Sequence, residues 1–120
     1  MSEEHTTEQK ALMARWLVMS DVAMQDSQYE GVSEHTRCCA AFDAGYVCAL
    51  YLLGPNALRL AYDHPSERVL RAAAEVAHID VEPGLRHLDR HLWDPVGMPE
   101  LSEMLRWAHS MRALVPAERA

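Results

Sequence analysis

The sequence predicts an all-α protein, a compact antiparallel bundle of four to five helices, and three observations carry that expectation. Ala, Leu, Met, Glu and Arg, which lose least on entering a helix, dominate the 120-residue chain. Apolar residues recur at spacings of three and four, and no segment alternates with the period of two that a half-buried strand needs. Breakers such as Gly31, Gly54-Pro55 and Asp94-Pro95 fall between the periodic stretches.

The first helix is expected from about Thr7 to Gln28. Leu12, Trp16, Met19 and Ala23 form one stripe with Met13, Leu17 and Met24 beside it, a wide apolar face suited to a bundle. The second helix begins near Ser33, a good N-cap, with Glu34 in the first turn where the helix dipole favours negative charge. Cys39, Phe42, Tyr46, Ala49 and Leu53 repeat along it, while Ala40, Ala41, Ala44, Gly45 and Ala49 keep it thin on several sides. Neighbouring backbones can approach such a helix closely, so it is expected at the centre, and it stops at Gly54-Pro55.

Residues 56–63 hold one short helical turn. The next helix has Asp63 or His64 as its cap, Pro65 in its first turn and Glu67 at its positive end. It runs to about His78 with Val69, Leu70, Ala73, Val76 and Ala77 apolar. After the loop "IDVEPG" comes a short helix from about Pro83 to Leu92, broken by Asp94-Pro95 and Gly97, with Leu85, Leu88 and Leu92 on its buried side. The last helix starts at Pro99-Glu100 and ends before Pro116, burying Leu101, Met104, Leu105, Ala108 and Met111. The chain reads as a single helical-bundle domain over 1–120, with flexible ends at 1–6 and 116–120.

Charge and composition exclude several functions. The net charge of −7 disfavours broad contact with nucleic acid, whose phosphates reward a basic surface. No apolar run approaches the roughly 18 residues a membrane span needs, and the acidic start "MSEEHTTEQK" is unlike a signal peptide, so no membrane association and a cytoplasmic location are expected. The odd set Cys38, Cys39 and Cys48 argues against a disulfide framework and reads as small hydrophobes. Catalytic triads and phosphate loops are absent, and no cofactor is expected.

The chemistry-bearing stretch is "GLRHLDRHLWD", residues 84–94. On a helix, Arg86 and Arg90 form one row and His87 and His91 an adjacent one, with Asp89 placed to neutralise the arginines. Read plainly, this is a solvated face. A histidine pair at i and i+4 also chelates metal, and Glu75-x-x-His78 has the spacing of di-iron bundles. Such bundles need two of these motifs, and only one is present. Asp43, on an otherwise apolar helix, calls for a buried polar partner such as Arg37, Arg71 or Arg86.

Helix two, "TRCCAAFDAGYVCALYLLG", resembles the second helix of HEPN-type domains, with Arg37, Ala41, Phe42, Ala44, Tyr46 and Leu50 in the matching places. "RHLDRHLW" is similar to that family's Arg, polar residue, spacer, His pattern through Arg86, His87 and His91, with Trp93 at a position often aromatic. The family's Arg is often followed by Asn, where this chain has His87. The resemblance implies a helical bundle, commonly a dimer, and in active members a metal-independent RNA endonuclease. In that role His91 moves a proton at the ribose 2′-hydroxyl or the leaving oxygen, Arg86 holds the scissile phosphate and His87 orients it. Other members lack cleavage and serve as binding or partner domains. The acidic surface makes that the preferred expectation: a HEPN-like, non-catalytic module, paired as a homodimer and open to a partner protein. An RNA endonuclease of the toxin or defence type is the alternative, and a metal-binding helical bundle the third reading.

Overall fold

Helices α1 (Thr7–Ser27) and α2 (Glu34–Leu53) form the frame of the molecule, joined by a short loop. The computed structural model describes residues 5–61, 65–90 and 99–115, and every element among them is helical. α1 opens with a reciprocal cap: the Thr6 side chain accepts from the Gln9 amide at 3.0 Å, and the Thr6 amide donates to Gln9 Oε1 at 2.9 Å. Thr6 thus belongs to the fold, not to a loose end, while 1–4 and 116–120 lie outside the described residues. α2 begins at the expected cap, Ser33, whose hydroxyl accepts from the Thr36 amide at 3.1 Å. It ends at Gly54, whose φ of +84° is a conformation that favours glycine.

Two bonds to backbone set the pairing of α1 with α2. Ser20 Oγ donates to the Ala44 carbonyl at 3.0 Å, and Arg37 Nε donates to the Ser27 carbonyl at 2.8 Å, so the helices run antiparallel. The buried face of α1, Trp16, Leu17, Ser20 and Ser27 with Leu12, Met13, Ala23 and Met24 packed half-buried against the core, lies on the predicted side, except that Met19 is 53% exposed and Ser20 is buried in its stead. Small side chains win here because they allow close approach to the Ala-rich wall of α2, and the Ser20 hydroxyl is satisfied by Ala44. Ser20→Ala is expected to cost about 1 kcal/mol in urea denaturation; a variant as stable as the wild type would mean that this bond contributes nothing.

α2 is central, as its small residues predicted. From Ala41 to Leu50 every residue is buried except Asp43. A 3₁₀ turn, Pro55–Ala57, and the one-turn helix α3 (Leu58–Ala61) carry the chain away. α4 (Glu67–Ala77) is capped by Ser66, whose hydroxyl accepts from the Arg68 amide at 3.1 Å. The predicted caps Asp63 and His64 lie outside the described residues, and Pro65 precedes the helix instead of occupying its first turn. The Tyr46 hydroxyl accepts from the Ser66 amide at 3.0 Å and ties this start to α2. α4 buries Val69, Leu70 and Ala73; Val76, predicted on the same face, is exposed. The helix ends at His78 in a left-handed conformation (φ 56°).

α5 (Glu82–Arg90) and α6 (Leu101–Ala113) complete the bundle. The predicted end of α5 at Leu92 and the break at Asp94-Pro95 and Gly97 lie outside the described residues. α6 lies along α2 in the same direction: residues 99–105 border Glu34 and Cys38, and further on the Trp107 ring reaches Gly45. Among the described residues no helix is long and apolar enough to cross a membrane.

Candidate functional site

The candidate site sits on α5, and its geometry follows from how that helix is pinned. Asp80 Oδ1 accepts from the Glu82 amide at 3.0 Å at the helix start, and the Asp80 carbonyl accepts from Trp107 Nε1 at 3.2 Å. The Trp107 indole fills the space between Gly45 on α2 and Gly84 on α5; a Cβ added at either would stand 2.4 and 2.8 Å, respectively, from the ring. With Gly84 pressed inward, the residue three positions on must also face inward.

That residue is His87, 1% exposed. Its ring stacks on Phe42 of α2 with centroids 4.7 Å apart and planes 19° apart, and Phe42 in turn stacks with Tyr46 and Trp107. The solvated histidine row predicted for this helix is therefore corrected at His87, which belongs to the aromatic core. Leu85 and Leu88, predicted on the buried side, are half-buried beside it.

Arg86 points elsewhere, since successive helix positions differ by about 100°. Its Nε donates to both Glu82 carboxylate oxygens, at 2.9 and 2.8 Å, and its Nη2 donates to Glu103 of α6. Desolvation would lower the guanidinium pKa, but the hydrogen bonds to Glu82 and Glu103 outweigh it and hold the group further towards its charged form. The predicted neutraliser, Asp89, is exposed and takes no part in this clamp. Two carboxylates thus claim the cation that a phosphate would need. His91 lies outside the described residues.

Arg37 and Asp43 do not meet. Arg37 satisfies a terminal carbonyl of α1, where the helix dipole favours a cation. Asp43 is exposed at the junction of two grooves, and among the described residues it forms no ion pair. The other proposed partners are engaged elsewhere, Arg71 with Glu67 at 2.7 Å and Arg86 as above. Desolvation by its apolar surroundings pushes the Asp43 carboxyl up from the usual range.

The three thiols are free, Cys38 and Cys48 buried and Cys39 half-buried, and burial raises all three above the ordinary cysteine value. A raised thiol is a poor nucleophile, which suits packing better than catalysis. A recess of about 660 Å³ between the starts of α2 and α6 is lined in part by Glu34, His35, Cys38 and Glu100. Among the described residues no three His, Cys, Asp or Glu side chains are arranged to hold a metal ion.

Sequence reasoning missed the roles of Glu82, Glu103 and Trp107. The i, i+4 spacing of Glu82 and Arg86 was a readable signal, whereas Glu103 comes from another helix and left none. This chain matches no protein family, no curated protein and no solved structure.

Proposed function

We propose that this chain is a HEPN-like, non-catalytic binding module that acts through its helix faces, as a homodimer and with a partner protein, in the reducing setting of the cytoplasm. The observation that carries this reading is the fate of neighbouring Arg86 and His87. The guanidinium is held between Glu82 and Glu103, while the imidazole is stacked on Phe42 inside the core. Cleavage in that family's manner needs Arg86 open to hold the phosphate and His87 beside it to orient the phosphate. These two side chains diverge. The three free thiols agree with a reducing compartment.

The test is incubation of the purified protein with single-stranded and structured RNA in the presence of a chelator. Intact RNA is expected, with the wild type indistinguishable from Arg86→Ala and His91→Ala. Metal-independent cleavage that disappears in either variant would overturn the reading in favour of the endonuclease.

A further inference from the structure

The most exposed apolar residues on α1 sit together. Val18, Met19 and Val22, 62, 53 and 50% exposed, occupy the outward face of the helix at spacings of three and four. Behind them a groove of about 400 Å³ runs along α2, with Tyr46 and Val47 in its wall and Asp26 and Asp43 on its edge. An apolar strip of this kind, rimmed by charge, is the form of a protein-binding surface.

The charges at its two ends decide what it binds. Arg15 lies one turn before Met19, and Asp26 lies one turn after Val22. On a straight helix Arg15, Met19, Val22 and Asp26 fall within about 60° of one another around the axis. Both charged side chains are exposed, and among the described residues neither forms an ion pair. Along the strip the order is positive, apolar, negative. Reversed, this pattern is its own complement. Arg15 with Asp26, and Met19 with Val22, share one midpoint, between residues 20 and 21. A two-fold axis through that point sets each Arg15 against the Asp26 of a second copy and each Met19 against its Val22, every contact made twice.

We infer that a second copy of this chain docks on this strip, α1 against α1 in antiparallel register. The inference rests on the reading of the chain as a binding module and names one partner and the surface it uses. The contact is short, so the dimer belongs to the weak class, with a dissociation constant on the order of micromolar.

Sedimentation equilibrium of the full chain, from micromolar to near-millimolar concentration, tests it. The wild type should shift from monomer to dimer. Val22→Glu, an exposed change that leaves the helical circular dichroism unaltered, should weaken association by about 30-fold or more. Arg15→Glu and Asp26→Arg should each weaken it by roughly tenfold, because like charges then face each other twice, and the double variant should regain most of the loss. A wild type that stays monomeric, a dimer indifferent to Val22→Glu, or a double variant no better than the singles would overturn the proposal. A monomer that fails to cleave RNA would remove the homodimer and leave the non-catalytic module with its partner protein standing, whereas a dimer that cleaves RNA would sink the non-catalytic reading alone.

Discussion

Trp107→Ala is expected to cost about 3–5 kcal/mol of folding stability, with a fall in the melting temperature of roughly 10–20 °C. The indole is 4% exposed, stacks on Phe42 with centroids 6.1 Å apart, and donates from Nε1 to the Asp80 carbonyl at 3.2 Å. It therefore links α2, α6 and the entry to α5 at once. Truncation leaves a cavity whose walls are helix backbone at Gly45 and Gly84, which carry no side chains to fill it. It also leaves the Asp80 carbonyl without this donor. Thermal unfolding followed by far-ultraviolet circular dichroism reads the effect. A shift of only a few degrees would show that the ring occupies the space without holding the helices together.

Gly45→Ala is expected to destabilise the protein by about 1–3 kcal/mol, although the same change in an ordinary helix interior stabilises it by about 0.5–1 kcal/mol. The new Cβ would lie 2.4 Å from Cζ3 of Trp107 and 2.8 Å from two further ring atoms. The ring cannot simply retreat, because its opposite edge occupies the place where a Cβ on Gly84 would be, 2.8 Å from ring atoms there. In the Trp107→Ala background the clash is gone, and Gly45→Ala should recover its intrinsic helix advantage, so the sign of the effect reverses. Urea denaturation of the four proteins in this cycle measures it. Equal effects in both backgrounds would mean that the tryptophan does not set the requirement for glycine.

The candidate site was legible as a list of residues but not as an arrangement. Arg86 and His87 stand out in the sequence because charged and imidazole groups crowd a short helix. Their periodicity against Leu85 and Leu88 placed the histidine on the wet side. Gly84 reversed that: its missing side chain lets α5 sink against Trp107, and the inward turn takes His87 with it. A glycine signals room for a neighbour without saying which neighbour arrives. The same limit applies on α1, where hydropathy chose Met19 over Ser20 although the closeness of α2 rewards the smaller residue.

What the sequence by itself determined is the set of helices, the cap of α2 and its stop at Gly54, and the central place of α2. These depend on interactions within a few residues: a Ser33 hydroxyl beside its own first turn, a glycine at the end of a helix, a run of small side chains that lets several neighbours come near. Only the tertiary structure decided that Ser20 and not Met19 faces inward on α1, that His87 does so on α5, that Glu103 closes on Arg86, and that Val18, Met19 and Val22 are left outside. Those outcomes depend on shape matching between segments far apart in the chain, where one absent Cβ or one hydroxyl outweighs the apolar pattern. Close-packed interiors select for volume and polar satisfaction as well as for hydrophobicity.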